Sequence, residues 1–175
     1  MIRHVILDRD GTLNVSLPEG VKTPKEWEWL PGSRGAVVLL ANLGIRVSVA
    51  TNQSAVGRGW MTKEALAKVH DHMQRDCEHS ISRIFHCPHV VEDRCKCRKP
   101  QPTMLELAVL ASNVPKNETV MVGDSWCDHE AARRYGIPFC LVLTGNGRTV
   151  NVLRTFQRVS SDLWTFATDL QELER

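Results

Sequence analysis

The stretch "RHVILDRDGTLN", residues 3–14, sets two acids, Asp8 and Asp10, one residue apart directly after the apolar run Val5-Ile6-Leu7. Such a run reads as a short interior strand, and the side chains at its end emerge on the sheet edge where open α/β folds bind ligands. Two carboxylates there repel each other and cost desolvation energy, so they need a compensating partner, and a divalent cation is the simplest. Asp8, at the strand end, is positioned to attack phosphorus, because an acyl phosphate divides one hard hydrolysis into two easier steps. Asp10 is then close enough to protonate the leaving alcohol and later to deprotonate the attacking water. The plainer reading is an Asp-rich turn closed by Gly11.

Three more strand ends carry groups of the kinds phosphoryl transfer requires. "VSVATNQS" ends in Thr51, Asn52, Gln53 and Ser54, whose hydroxyls and backbone amides could hold a transferring phosphoryl group, although Thr-Asn-Gln is also ordinary turn chemistry. "CRKP" offers Arg98, a bidentate anion fork, and Lys99, a point positive charge, just before a helix that Pro100 or Pro102 could start. "TVMVGDSWCD" places Asp124 after a further apolar run, with Asp128 four residues on, so Asp124 can join Asp8 in holding Mg²⁺ through hard oxygen ligands. Each feature alone has a bland explanation. Four of them in order, each at a strand terminus, point to one site.

"CPHVVEDRCKC" supplies Cys87, His89, Cys95 and Cys97, a Cys-x-His and a Cys-x-Cys pair that fit a closed tetrahedral Zn²⁺ site. A full shell leaves no position for substrate, so this zinc is structural, and it braces the loop that presents Arg98 and Lys99. His86 is the neighbour outside the ligand set. Cys77, Cys127 and Cys140 read as ordinary buried or half-buried thiols, and His4, His70, His72, His79 and His129 as non-catalytic.

The elements that must position these groups alternate along the chain. Strands are predicted at 4–8, 45–50, 83–86, 119–123 and 139–143, with helices at 33–43, 62–79, 101–112 and 126–135. Thr62 is the expected N-cap of the second helix, Gly44 and Gly136 end two others, and the tail from about 148 supplies one more helix and a short strand. This is the pattern of an α/β, doubly wound, mostly parallel sheet with helices on both faces, and with no large cap domain. The long segment between the first strand and first helix holds Trp27 and Trp29; it is placed to cover a site, though aromatic packing is the simpler role of the two rings.

Length and composition set the bounds. At 175 residues and 42% hydrophobic content the chain is expected to form a single domain, residues 1–175. A formal charge of +2 from interspersed acids and bases carries no basic block of the kind that binds nucleic acid or a membrane surface. With no membrane span and no signal segment, a cytoplasmic monomer acting on a small soluble phosphate is expected. The alternatives of another class are a zinc-containing nucleic-acid-binding knuckle, with Arg94, Lys96, Arg98 and Lys99 near the cluster, and a non-catalytic scaffold. The joint presence of Asp8, Asp10, Thr51, Lys99 and Asp124 argues against both.

This ordered set resembles the haloacid-dehalogenase-like phosphatases, whose four motifs match as "DRDGT", the Thr51 strand end, Lys99 and "GDSWCD" over nearly the whole chain. The resemblance implies a Rossmann-like fold in which Asp8 is phosphorylated, Asp10 is the acid/base, and Thr51 and Lys99 stabilise the phosphoryl group. It also implies Mg²⁺ held by the Asp8 side chain, the Asp10 backbone carbonyl and Asp124. The zinc-braced loop before "CRKP" is similar to the branch holding the heptose-bisphosphate and the histidinol-phosphate phosphatases. "TNQSAVGRG" and "CRKPQPTM" resemble the heptose side of that branch, which implies removal of the 7-phosphate of a heptose 1,7-bisphosphate while Arg98 grips the retained phosphate. Two positions depart from the family pattern: its glycine after Asn-Gln-Ser is Ala55, and its lysine after Gly-Asp is Ser125, which removes one positive charge near the substrate.

Overall fold

Val5, Ile6 and Leu7 are completely shielded from solvent, because β1 (His4–Leu7) lies inside a six-stranded sheet covered on both faces. The computed structural model describes residues 1–149, 156 and 158–173. The sheet has the order β3-β2-β1-β4-β5-β6 and every pairing is parallel; the other strands are β2 (Arg46–Asn52), β3 (Arg83–Cys87), β4 (Thr119–Gly123), β5 (Phe139–Val142) and β6 (Arg158–Ser160). In register, Leu7 stands opposite Val49 on one side and Val122 on the other.

Alternation along the strands divides the core. Val5, Leu7, Val47, Val49, Val120 and Val122 point to one face, where they meet α1 (Ser33–Asn42), α3 (Lys63–Asp76) and α6 (Leu163–Leu173). Ile6, Ala50, Met121 and Leu141 point to the other, against α4 (Thr103–Ser112) and α5 (Trp126–Tyr135). One short helical turn, α2 (Ser54–Gly57), follows β2. This is the expected doubly wound α/β layering. Among the described residues no helix is long and apolar enough to cross a membrane, and no cap domain is inserted.

The differences from expectation have local causes. β2 runs on to Asn52, because Thr51 and Asn52 pair with His86 and Cys87 of β3. α3 begins as expected, Thr62 accepting from the Ala65 amide at 3.1 Å, but stops at Asp76 because Glu78 and His79 both take φ of +56°. α4 starts at Thr103 with Pro102 as its cap. The strand and helix expected in the tail are β6 and α6, and residues 150–155, 157, 174 and 175 lie outside the described residues. In the first loop, Trp27 is buried and meets Trp29 edge-on at 5.1 Å, while the Trp29 indole donates to Asp76 at 3.1 Å, so both rings are packing elements.

Candidate active site

The chain order reverses direction across the sheet between β1 and β4, and this switch point is where open α/β sheets leave a crevice. Asp8 leaves β1 on one side of it and Asp124 leaves β4 on the other, with the Asp8 amide donating to the Val122 carbonyl at 2.9 Å. Thr51 and Asn52 end β2, and the loop after β3 brings in Lys99. A cleft of about 190 Å³ joins Asp8, Asp10, Thr51, Lys99 and Asp124.

Lys99 is at the centre of the cleft. Its side chain is 2% exposed, and its three protons have three acceptors: Asp8 Oδ1 at 2.7 Å, Asp128 Oδ1 at 2.6 Å and the Ala50 carbonyl at 2.7 Å. Its backbone is clasped as well, since Asn52 Oδ1 accepts from the Lys99 amide and Asn52 Nδ2 donates to the Lys99 carbonyl, both at 3.0 Å. Asn52, expected to touch substrate, therefore first fixes Lys99. Burial alone would lower the ammonium pKa, but Asp128 and Asp8 outweigh it and hold the lysine charged.

Asp128 was visible in the sequence only as an acid near Asp124. It is completely buried, and the cause is local: Ser125 caps α5 and Asp128 returns the bond, accepting from the Ser125 hydroxyl at 2.6 Å and its amide at 3.1 Å. That box turns the other carboxylate oxygen onto Lys99. Ser125, where the family pattern has lysine, is thus a helix cap.

Asp124 is held from above by the segment after β5. The Asn146 amide and side chain donate to its Oδ2 at 2.7 and 3.1 Å, and Thr144 Oγ1 donates to the Gly11 carbonyl at 2.7 Å. The approach is so close that a Cβ at Gly11, whose φ is +87°, would stand 2.2 Å from Asp124 Oδ2, and one at Gly145 would stand 2.3 Å from it. The expected site residues did not include Thr144, Gly145 or Asn146; the signal was "TGNG" directly after a predicted strand.

Asp10 is ionised by its surroundings. Burial would raise its pKa, but the Arg9 guanidinium and hydrogen bonds from Asn14, Arg9 and Gln53 hold it below the usual carboxylate range. Asp8 is the opposite case: burial and the Asp128 carboxylate push it up to about 8 against the pull of Lys99. Asp124 is pushed up to about 6, by burial and then by Asp128.

Three carboxylates, Asp8, Asp124 and Asp128, bring oxygens within 4.8 Å of one another around one ammonium. The excess negative charge, and the raised Asp8 and Asp124, are what a hard divalent cation would relieve. Asp8 Oδ2 and Asp124 Oδ1 accept no hydrogen bond among the described residues, whereas Asp128 spends both oxygens on Lys99 and Ser125. The donor set therefore fits Mg²⁺ with Asp8 and Asp124 as side-chain ligands, and makes Asp128 the anchor of Lys99.

At the end of β3, Cys87, His89, Cys95 and Cys97 converge: Cys97 Sγ lies 3.2 Å from Cys87 Sγ, 3.5 Å from Cys95 Sγ and 3.3 Å from His89 Nδ1. Four soft ligand atoms at such spacing fit a closed tetrahedral site. His86 lies outside it, with its ring 5.7 Å from that of His70. The loop is tied to the β2 end by Gln53 N to the Cys87 carbonyl at 2.7 Å and Gly57 N to the Pro88 carbonyl at 2.8 Å. Arg98 adds a brace, one nitrogen donating to Ser54 Oγ at 2.6 Å and to the His89 carbonyl at 3.1 Å. Of the three spare thiols, Cys77 and Cys140 are buried as expected; Cys127 is exposed instead, because it sits in the first turn of α5 at the cleft mouth.

Comparison with known proteins agrees with this layout. A HAD-hydrolase-like family model matches residues 96–172. The chain is 42% identical over 84% of its length to a D-glycero-β-D-manno-heptose-1,7-bisphosphate 7-phosphatase of Neisseria meningitidis, covering 80% of that protein. It is 34% identical over 99% of its length to the protein of the same name from Pseudomonas putida, covering 98% of it. A crystal structure of D,D-heptose 1,7-bisphosphate phosphatase from B. bronchiseptica, complexed with magnesium and phosphate, superposes with a TM-score of 0.92 at 38% identity and covers 98% of this chain and 99% of that one. The chain belongs to the haloacid-dehalogenase-like phosphatases, in the heptose-1,7-bisphosphate 7-phosphatase family.

Proposed function

We propose that the protein hydrolyses the 7-phosphate of D-glycero-β-D-manno-heptose 1,7-bisphosphate and releases the heptose 1-phosphate. The observation that carries this reading is the Asp8 carboxylate, with one oxygen on Lys99 and the other unbonded at the floor of the cleft. It is supported by the relatives named above, whose substrate has this chemistry.

Asp8 attacks phosphorus and carries the phosphoryl group as an acyl phosphate, while Asp10, ionised beforehand, takes a proton from the entering phosphate monoanion, gives it to the departing sugar oxygen and then takes one from water. Lys99 and the Thr51 hydroxyl face the equatorial oxygens, where charge accumulates. Asp8, the Asp10 backbone carbonyl and Asp124 would hold Mg²⁺, which when bound neutralises phosphate charge. The Cys87, His89, Cys95 and Cys97 set would hold Zn²⁺ and so fix the loop that delivers Lys99. A second recess of about 240 Å³ shares Asp10, Ser16 and Asn52 with the cleft and continues past Ser54 to Trp60, which gives the sugar a place to lie. Arg98, with nitrogens to spare beyond its brace, grips the retained phosphate.

The test is steady-state phosphate release with Mg²⁺ from the α and β bisphosphates and from histidinol phosphate. Fastest turnover of the β bisphosphate is expected. Preference for histidinol phosphate would overturn the substrate assignment.

A further inference from the structure

Arg9 is the largest completely buried side chain among the described residues, although it stands between the two aspartates of the site. Its Nε and one terminal nitrogen reach the two oxygens of Asp10 at 3.2 and 3.1 Å, and the same terminal nitrogen reaches Gln53 Oε1 at 2.9 Å. Gln53 closes the ring, its amide donating to Asp10 Oδ2 at 2.7 Å and to Thr51 Oγ1 at 2.8 Å. The remaining guanidinium nitrogen lies 3.2 Å from His70 Nε2, and the Trp27 ring faces the guanidinium carbon at 5.9 Å. Arginine only donates, so His70 Nε2 accepts and the imidazole is neutral.

A buried guanidinium is a poor way to gain stability, because the cost of removing the charges from water offsets the pairing and apolar side chains of similar volume do as well. What a planar fork supplies is orientation. We infer that Arg9 is a positioning residue: its fork, aimed by His70, fixes the plane of the Asp10 carboxylate so that the proton Asp10 takes from the entering phosphate reaches the leaving-group oxygen. The inference rests on the acid role given to Asp10 above. It makes Gln53, expected to bind substrate, a member of the same frame.

An alkoxide needs a proton to leave and a nitrophenolate does not, so a misaimed Asp10 harms the sugar phosphate selectively. The test compares kcat/KM, which reports only the steps through leaving-group departure, for the heptose bisphosphate and for p-nitrophenyl phosphate. Arg9→Lys keeps the charge without the fork and is expected to lose roughly 100-fold on the sugar phosphate, and less than about 5-fold on the aryl phosphate, as for a displacement of about 1 Å. His70→Leu removes the acceptor and should show a smaller loss in the same direction, while His70→Gln, whose amide oxygen still accepts, restores the ratio. Equal losses on both substrates, or His70→Gln failing together with His70→Leu, overturn the assignment. Asp10→Asn is the reference: selective loss there without selective loss in Arg9→Lys rejects Arg9 alone, and indifference of Asp10→Asn to the leaving group rejects the acid role and this inference with it.

Discussion

Replacing Lys99 by methionine keeps the length of the stem and deletes the one positive charge shared by Asp8 and Asp128. At 2.7 and 2.6 Å, with an effective dielectric of about 20, each contact has a gross Coulomb energy of about 6 kcal/mol. Most of that offsets the cost of burying the ions, and the net loss on breaking a buried pair from one side is roughly 3–5 kcal/mol. At neutral pH the variant escapes most of the Asp8 share, because burial and Asp128 push Asp8 up to about 8 even beside Lys99 and higher without it, so the carboxyl is protonated there in either protein. The penalty should therefore grow as pH rises through 7 to 9. Urea unfolding in the absence of Mg²⁺ reads it, and turnover of the bisphosphate should fall by about 10³-fold with the loss of a preorganised cation. Added Mg²⁺ should stabilise Lys99→Met more than the wild type, since the metal then meets three carboxylates without a competing ammonium. A variant that unfolds at the wild-type urea concentration at pH 9, or keeps turnover within tenfold, would refute this view of the charge balance.

Four other outcomes follow from the geometry. Cys97→Ser, or a strong zinc chelator, should lower thermal stability and turnover together, because a bound structural metal contributes folding energy outright and the same loop carries Lys99; activity unchanged after verified zinc loss would contradict the bracing role. Gly145→Ala should raise the Mg²⁺ concentration needed for half activity by roughly tenfold, since its Cβ would meet Asp124 Oδ2 at 2.3 Å; a metal titration decides it. His4 is buried between Ser48 and Thr119, and burial holds its pKa down at about 4, so the fold prefers it neutral. Its stabilising effect is complete above the unfolded value of 6.5 and is lost as pH falls towards 4, by about 2 kcal/mol at pH 5, so unfolding of His4→Val should show a shallower pH slope there. Arg98→Ala should raise KM for the bisphosphate about tenfold and affect small monophosphates less; equal effects on both would remove Arg98 from the distal phosphate.

Legibility in the sequence followed range. The strands showed because each is a short apolar run, and the acids at their ends showed because an interior strand exposes little else. The cysteine and histidine cluster showed because its members lie within eleven residues. What did not show depends on distant partners. Nothing near Arg9 in the sequence signals its burial, which only the arrival of His70, 61 residues away, and of Trp27 explains. The inward turn of Asp128 had a local signal in "SWCD", the serine and aspartate of a capping box, but its partner Lys99 comes from another loop. Asn52 and Ser54 were legible as polar groups at the right edge, yet their hydrogen bonds to the cysteine-rich loop after β3, on which the placement of Lys99 depends, exist only once β2 and β3 are side by side.

The central claim is that a sugar bisphosphate loses one particular phosphate through Asp8. ³¹P NMR of the β bisphosphate incubated with the protein and Mg²⁺, with Asp8→Asn as control, tests it most directly. The 7-phosphate resonance should give way to inorganic phosphate while the anomeric phosphate persists, with no change for Asp8→Asn. Loss of the anomeric phosphate, or turnover by Asp8→Asn near the wild-type rate, would contradict it.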